Sequence, residues 1–206
     1  MIGIIDFGLG NLGSILNSFE DINCKAKILK SCEEIRTINH LILPGVGSFR
    51  VGMQNLIQNG WDKYIFEHTK KKKPLLGICL GMQLLFDWGT EDGGYKGLGY
   101  IKGKVDKMEI IEKRKLPHVG WNKLNFLKKH PIFKDVKEHV DYYFVHSYEC
   151  ISQNELNIIS KTEYEKEFIS CVSNGDSIVG TQFHPEKSPP NGLKILKNFS
   201  QWDGRC

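Results

Sequence analysis

The stretch LLGICLG, residues 75–81, decides the fold that we expect for this chain. A short apolar strand leads into Cys79, and glycines stand at positions 77 and 81 on either side of it. A Cβ atom at either flank would crowd a sharp turn, so glycine fits both positions. The pattern predicts a strand-to-helix junction that lifts a nucleophilic side chain above a sheet.

The chain around this junction repeats the alternation of strand and helix. Short apolar strands that alternate with amphipathic helices indicate a mostly parallel sheet with helices on both faces. The fold class that we expect is therefore α/β. The predicted strands cover residues 2–6, 25–29, 40–43 and 75–79, and the predicted helices begin at Ser14 or cover residues 33–39, 51–68 and 82–88.

The second half of the chain has a different pattern, because turn residues separate runs rich in β-formers. No linker, internal repeat or low-complexity stretch divides the chain. At 206 residues we expect a single domain, residues 1–206, with additional β-structure in its C-terminal half. The predicted strands cover residues 101–111, 122–126, 142–147, 168–172 and 177–183, and a last helix covers 192–202.

The composition argues against several classes of protein. Lys and Arg number 28 against 24 Asp and Glu, an excess too small and too scattered for a nucleic-acid surface. Neither a run of about 18 apolar residues nor a basic N-terminal stretch is found, so we expect a cytoplasmic protein. The six cysteines include no Cys-x-x-Cys pair, and no metal or organic cofactor is predicted.

One motif points to a different function. Gly8, Gly10 and Gly13 form a G-x-G-x-x-G pattern between a strand and a helix, which is typical of dinucleotide-binding proteins. The chain is short for a dinucleotide half plus a substrate domain, and Asp6 and Phe7 crowd the turn. We therefore favour a loop that exposes its backbone, and we keep a dinucleotide-binding module as an alternative.

Cys79 needs a base, and His184 is the best candidate among seven histidines. At the start of a helix, the positive end of the helix dipole favours the thiolate, which is the reactive form of cysteine. His184 follows an apolar strand, and Glu186 stands two residues later, where both side chains can share one side of an extended segment. Glu186 would hold one ring nitrogen while the other exchanges protons, as in a catalytic triad.

An acyl-transfer site also needs donors for the oxyanion that develops on the attacked carbonyl. The PGVG segment, residues 44–47, follows a predicted strand and offers backbone N–H groups at its glycines. The backbone N–H of Leu80, directly after the nucleophile, is the natural second donor. Taken alone, the PGVG segment favours a simple turn.

With these residues assembled, the chain resembles the class I, triad-type glutamine amidotransferases over nearly its whole length. It is similar more closely to the family of glutaminase subunits of imidazole glycerol phosphate synthases. The segments around Cys79 and His184 identify the superfamily, and residues 118–122 and 144–148 narrow it to these subunits. The matching segments are residues 4–12, 43–47, 77–86, 117–122, 143–148 and 180–188.

The resemblance implies a flavodoxin-like fold and a glutaminase that works through a glutamyl thioester. Cys79 would attack the side-chain amide of glutamine, His184 would move the protons, and Glu186 would orient the imidazole. Gly47 and Leu80 would form the oxyanion hole. By the same analogy, the residues that bind the glutamine substrate would be Gln83, Glu91, Ser147 and Tyr148.

The resemblance also implies a partner. In this family, ammonia passes from the glutaminase into a (β/α)8 cyclase subunit, and the glutaminase is nearly idle until that partner is loaded. A heterodimer is therefore expected. The residues that would lie at the partner-facing rim are Gly10, Asn11, Trp121, Asn122 and Tyr143.

Two departures from the family pattern keep other functions open. Val119 stands where Met is usual, and Gly13 stands where Arg is common. A rim that departs from the family pattern suits a paralogous glutaminase that feeds ammonia to a sugar-amidating synthase in surface-polysaccharide biosynthesis. A free-standing cysteine hydrolase or peptidase and the dinucleotide-binding module are the alternatives from other classes.

Overall fold

The computed structural model describes residues 1–110, 115–137 and 139–205. Strands and helices alternate in its first half, and strands dominate its second half. The helices are α1 Leu12–Asp21, α2 Phe49–Gln58, α3 Trp61–Lys70, α4 Leu80–Gln83 and α5 Asn191–Gln201. The strands are β1 Ile2–Ile5, β2 Ala26–Leu29, β3 His40–Leu43, β4 Leu75–Ile78, β5 Phe86–Gly89, β6 Tyr95–Lys96, β7 Ile101–Lys107, β8 His118–Lys123, β9 Asn125–Phe126, β10 Asp141–His146, β11 Tyr148–Ser152, β12 Ile158–Glu163, β13 Glu167–Ser173 and β14 Ile178–Thr181.

An eight-stranded sheet forms the centre of the fold, in the order β2-β1-β3-β4-β14-β13-β12-β9. Its strands are parallel from β2 to β14 and antiparallel from β14 to β9. The parallel part contains the strand that leads into Cys79. This arrangement confirms the expected α/β class, with a mostly parallel sheet and additional β-structure from the C-terminal half.

The inner parallel strands are mostly apolar because both faces of the sheet are covered there. Every residue of β1, β4 and β14 is buried. The neighbours Ile4 and Ile5 belong to different apolar clusters, since successive side chains of a strand point to opposite faces. The two clusters therefore cover opposite faces of the sheet.

Two smaller sheets lie outside the central one. Strands β11, β7, β5 and β6 form a four-stranded sheet, and β10 pairs with β8 in an antiparallel ribbon. The C-terminal end of the ribbon strand β10 lies beside the nucleophile candidate, because the carbonyl oxygen of Val145 is 3.8 Å from the Cys79 sulfur. The second half of the chain therefore supplies one wall of the region around Cys79.

The predicted helix over residues 82–88 is wrong. Helix α4 ends at Gln83, and the chain enters strand β5 at Phe86, which pairs with Ile101 of β7. The run MQLLFDW is apolar almost throughout. Periodicity alone does not separate a buried strand from a buried helix in such a short run.

Three further expectations need correction. The predicted helix over 51–68 is two helices, α2 and α3, because Gly60 between them has a φ of 72°, in the left-handed region. The predicted helix over 33–39 is a 3₁₀ turn, Cys32–Thr37. The predicted strand over 101–111 ends at Lys107, and Ile111 lies outside the described residues.

Strands β11 and β12 were not predicted, although both pair along most of their length. Polar residues interrupt both strands, so neither shows a long apolar run. None of the helices in the described parts of the chain is long and apolar enough to span a membrane.

Candidate active site

Cys79 occupies the junction between β4 and α4. Its φ of 53° and ψ of −109° are rarely adopted by a residue with a side chain, and such backbone strain costs about 1–3 kcal/mol. The N–H of Cys79 donates to the carbonyl of Thr181 at 2.7 Å, which holds the strained residue in place. A Cβ on Gly81 would stand 1.8 Å from the carbonyl oxygen of Leu43, so this flank of the junction has room for glycine alone.

The strand order brings His184 to the same place. Strands β4 and β14 are parallel neighbours, with Ile78 opposite Thr181, and the chain reaches His184 three residues later. Parallel strands end at the same edge of a sheet, where binding crevices form. The Nδ1 atom of His184 lies 2.7 Å from Oε1 of Glu186, and both side chains are buried.

The charge of the His184 ring depends on its neighbours. Burial disfavours the imidazolium, but the attraction of the Cys79 sulfur and of Glu186 outweighs it and raises the pKa of His184 to about 10. Among the described residues, the buried Nε2 atom has no hydrogen-bond partner. Nδ1 is therefore fixed by the carboxylate, while Nε2 remains available for proton transfer.

Polar groups surround the Cys79 sulfur. The side-chain amide of Gln182 donates to the sulfur across 3.6 Å, and the Val145 carbonyl lies 3.8 Å away on the ribbon strand. Only 5% of Cys79 is exposed. Cys79 lines a cleft of about 380 Å³, through which a small substrate can reach the sulfur.

This cleft collects most of the residues predicted to act on the substrate. It is formed by the segment after β3, the start of α4, the turn after β5 and the connection between β10 and β11. Cys79 lies in its wall, and His146 and Pro117 also line it. The predicted residues that line it are Gly47, Leu80, Gln83, Glu91, Ser147 and Tyr148.

The predicted oxyanion segment is held in position by the turn that follows β5. The carboxylate of Glu91 accepts a hydrogen bond from the N–H of Phe49 at 2.8 Å, and Ser48 donates to Asp92 at 2.6 Å. Gly47 has a φ of 122°, which a residue with a side chain would rarely adopt. Burial raises the pKa of Glu91, although the hydrogen bond from Phe49 opposes this shift.

The two predicted oxyanion donors lie on facing segments. Gly45, two residues before Gly47, packs so closely on Leu80 that an added Cβ would be 3.0 Å from the Leu80 Cβ. The N–H of Leu80 lies in the first turn of α4, where a backbone donor has no acceptor within its own helix. The structure therefore brings both segments to the cleft beside the sulfur.

The residues predicted for the partner-facing rim lie in two places. Trp121 and Tyr143 are opposite each other in the ribbon of β8 and β10, with ring centroids 5.6 Å apart. Trp121 and Asn122 line a second cleft of about 460 Å³. A Cβ added to Gly10 would contact backbone atoms of Gly45, so Gly10 packs against the predicted oxyanion segment.

Asn11, the fifth of these residues, has a structural role in the first loop. Its side chain accepts a hydrogen bond from the N–H of Ser14 at 3.2 Å and caps helix α1. The loop before Asn11 contains Gly8 and Gly10, and both glycines have a positive φ. A cap and two glycines explain the loop without a bound dinucleotide.

Comparison with known proteins agrees with this geometry. Residues 3–202 match the model of the class-I glutamine amidotransferase family. The imidazole glycerol phosphate synthase subunit HisH of Sulfurimonas denitrificans is 45% identical over 205 residues, which cover 98% of this chain and 98% of that protein. The subunit HisH of Methanocaldococcus jannaschii is 46% identical over 97% of this chain and 98% of its own length.

The chain belongs to the class I glutamine amidotransferase family, among the HisH subunits. The resemblance stated from its motifs is thereby confirmed, and so is its assignment as an enzyme. Solved structures support the fold alone, because their sequences are distant. A structure of PurLQS from Thermotoga maritima has a TM-score of 0.74 at 15% identity and covers 97% of both chains.

Three buried polar residues of this amidotransferase site were missed by the sequence reasoning. Gln182 contacts the sulfur, and His118 and His146 are hydrogen-bonded to each other beneath the cleft at 3.1 Å. All three stand inside the matching segments, two residues before His184 in the case of Gln182. A polar residue within an apolar segment is a signal of a functional or structural role. The sequence does not show which residue it contacts, because that depends on how the strands pair.

Proposed function

We propose that this chain, as one glutaminase domain over residues 1–206, hydrolyses glutamine for an imidazole glycerol phosphate synthase. Cys79 is the nucleophile, His184 the proton carrier and Glu186 the group that orients it. The observation that carries the proposal is the hydrogen bond between Glu186 and His184 at 2.7 Å, in a ring that is held beside the strained Cys79. Full-length similarity to HisH subunits supports the assignment to this synthase.

The first half of the reaction makes a thioester. The Cys79 sulfur attacks the side-chain amide carbon of glutamine and forms a C–S bond. The tetrahedral intermediate collapses when His184 gives the Nε2 proton to the amide nitrogen, and the C–N bond breaks to release ammonia. Because Glu186 holds Nδ1, Nε2 is the ring nitrogen that gives and takes the proton.

The second half restores the enzyme. His184 takes a proton from water as it attacks the thioester carbonyl, and the C–S bond breaks to release glutamate. The negative oxygen in both halves would be stabilised by the backbone N–H groups of Gly47 and Leu80, whose segments pack against each other beside the cleft. Donors fixed in this way need little rearrangement as charge develops.

The substrate has one orientation that suits the cleft. Gln83 uses its side-chain N–H groups on Tyr148 and Gln182, so its oxygen suits a donor on glutamine. The carboxylate of Glu91 suits the α-ammonium group. Ser147 and Tyr148 follow the ribbon strand and line the same cleft, and we assign the α-carboxylate to a position beside them.

The partner that we propose is the cyclase subunit, a (β/α)8 barrel that receives ammonia in a heterodimer in the cytoplasm. The relatives are named as subunits, so those proteins work in a complex. Exposed Trp121, together with Asn122, Tyr143 and the loop at Gly10 and Asn11, would form the rim that meets it. Metal ions and organic cofactors have no part in this mechanism.

The test measures glutamate release from glutamine by the purified chain, alone and with the cyclase subunit and its ribonucleotide substrate. We expect stimulation on the order of a hundredfold, which corresponds to about 2.7 kcal/mol of barrier. Cys79→Ala is the control and should release no glutamate. Absence of stimulation, with the same cyclase active on free ammonia, would contradict the assignment to this synthase.

A further inference from the structure

Gln182 lies directly beside the Cys79 sulfur, and the mechanism proposed for the glutaminase gives it no role. It stands two residues before His184, and its side chain is fully buried. Its Nε2 atom is 3.6 Å from the sulfur. A buried amide that faces a reacting atom is either a structural contact or part of the chemistry, and the direction of its hydrogen bonds separates the two.

The orientation of the Gln182 amide is fixed by a backbone carbonyl. A carbonyl oxygen can only accept, so the Gln83 side chain turns its NH2 group toward the carbonyl of Tyr148, 3.2 Å away. The same NH2 group is 3.1 Å from the Gln182 amide, which therefore presents its oxygen Oε1 there. The NH2 group of Gln182 is left to face the sulfur. The sulfur thus receives a hydrogen-bond donor.

A fixed donor acts differently on the two protonation states of cysteine. In the thiol, the S–H group of Cys79 donates to the carbonyl of Val145 at 3.8 Å, and the sulfur is a weak acceptor for Gln182. In the thiolate, the hydrogen bond from Gln182 is charge-assisted, and such bonds are roughly twice as strong as neutral ones. Gln182 therefore stabilises the thiolate, whereas the Val145 carbonyl favours the thiol.

The thiolate needs such a donor because the sulfur has little access to water. Burial in apolar surroundings disfavours a charged thiolate, and Cys79 is almost wholly buried. The dipole of helix α4 is small, because the helix has only four residues. Stabilisation of the thiolate then depends on the groups around the sulfur, which are the Gln182 amide and the His184 ring.

We propose that Gln182 is a further catalytic residue, whose amide N–H donates to the Cys79 thiolate before it attacks and again when it leaves the glutamyl group. In the first step the thiol proton passes to Nε2 of His184, and the Gln182 donor stabilises the negative sulfur that remains. In the last step the C–S bond breaks, its electron pair returns to the sulfur, and the same donor stabilises that charge. The inference rests on the proposed glutaminase function.

Several titratable groups surround the sulfur and contribute to its pH dependence. Burial disfavours the charged His184 ring, but attraction to the sulfur and to Glu186 raises the pKa of His184 to about 10. Burial raises the pKa of Cys150 on β11 well above its usual range and lowers that of His146 on β10 to about 3. Glu91, on the turn after β5, lines the same cleft. All of them stay in place when the amide is removed, so a comparison with the wild type isolates the amide.

The first test measures how the reactivity of Cys79 depends on pH in the chain alone. The chain is alkylated with iodoacetamide at a series of pH values, and the Cys79 peptide is quantified by mass spectrometry. Gln182→Met keeps the length of the side chain and removes the donor, so we expect the midpoint of the profile to rise by about one pH unit. Gln54→Met, the same replacement on the exposed side of α2, is the matched control and should leave the midpoint unchanged.

The direction of the shift separates a donor from a structural contact. If Gln182 only fills space, Gln182→Met loosens the site, water reaches the sulfur, and the midpoint stays or falls. If Gln182 only holds Gln83 for the substrate, the midpoint stays and the KM for glutamine rises. A midpoint at or below that of the wild type would therefore overturn the proposal.

The second test needs no replacement of Gln182, so it decides the question even if Gln182→Met does not fold. The side-chain N–H resonances of Gln182 are followed by NMR through a pH titration of the wild type and of Cys79→Ala. We expect one N–H proton to move downfield at the midpoint of the alkylation profile in the wild type, and this titration to be lost in Cys79→Ala. A Gln182 resonance that does not move at that midpoint in the wild type would overturn the proposal.

The two proposals fail in different ways. Both tests use the chain without glutamine and without a partner, so they decide the role of Gln182 even if the complex hydrolyses no glutamine, which would contradict the proposed function. In an active complex, we expect Gln182→Met to shift the acid limb of the pH profile of kcat/KM by the same amount as the alkylation midpoint. An unchanged acid limb would overturn the catalytic role of Gln182.

Discussion

At the scale of single residues, Cys79 combines a strained backbone with a nearly buried side chain. Its φ of 53° is maintained by the bond to Thr181 and by the lack of space around Gly77 and Gly81. Such strain persists only where the surroundings enforce it, and it is common at active sites. Here the result is a sulfur fixed at the cleft, between the histidine and the oxyanion segments.

We expect Cys79→Ala to lower the pKa of His184 as well as to abolish glutamate release. Burial alone would lower that pKa, and the attraction of the sulfur and of Glu186 instead raises it to about 10. The raised pKa stabilises the fold below pH 6.5, and this contribution is lost as the pH rises through about 10. NMR titration of the His184 ring in both proteins measures the shift, and equal pKa values would contradict the proximity that we describe.

Glu186→Gln removes the charge that fixes the His184 ring while keeping the shape of the side chain. We expect kcat/KM for glutamine to fall roughly a thousandfold, because the ring loses its enforced tautomer and the partner of its imidazolium form. Glu20→Gln, on the exposed side of α1, is the matched control and should retain full activity. Activity of Glu186→Gln within a few-fold of wild type would remove Glu186 from the triad.

At the scale of elements, the junction between β4 and α4 depends on how closely backbones approach. Gly81→Ala would place a Cβ 1.8 Å from the Leu43 carbonyl, so we expect a loss of about 3 kcal/mol or more in the free energy of unfolding. In Gly13→Ala, on helix α1, the added Cβ meets no atom within 4 Å, and we expect a gain of about 0.5–1 kcal/mol. Urea denaturation compares the two; equal effects would contradict the packing argument.

The sequence predicted elements well where one property determined them. Strands β1 and β4 are continuous apolar runs, and the helices α1 and α5 have a clear apolar face, so all of these were found close to their true positions. The run over 82–88 was misassigned because its change from helix to strand depends on pairing with β7, and this pairing is not visible in the run itself. Strands β11 and β12 were missed because polar residues interrupt both of them.

The sequence predicted those residues of the candidate site whose types and spacing form a catalytic motif. Cys79, His184 and Glu186 followed from residue types at a junction and after a strand. Gln182 and the pair His118 and His146 did not, since their roles arise from contacts across 28 to 103 residues of sequence. The position of the rim residues relative to a partner depends on a second chain, so it stays a proposal.

At the scale of the whole molecule, we expect a partner to cover the exposed aromatic surface at the rim. Trp121 is 54% exposed on the ribbon, and Trp88 is 45% exposed in the separate four-stranded sheet. We expect Trp121→Ala to weaken binding of the cyclase subunit by about 2 kcal/mol, because large aromatic side chains often dominate interfaces. Trp88→Ala is the matched control, and calorimetric titration measures both. Equal affinities for the two variants would contradict the position of the rim.

In the proposed mechanism, Cys79 carries the glutamyl group during turnover. The most direct measurement mixes the complex with glutamine, stops the reaction with acid and maps the protein by mass spectrometry. We predict a glutamyl adduct on the peptide that contains Cys79, absent in Cys79→Ala. Glutamate formation by Cys79→Ala would contradict the mechanism. An adduct on another cysteine of the wild type would contradict it as well.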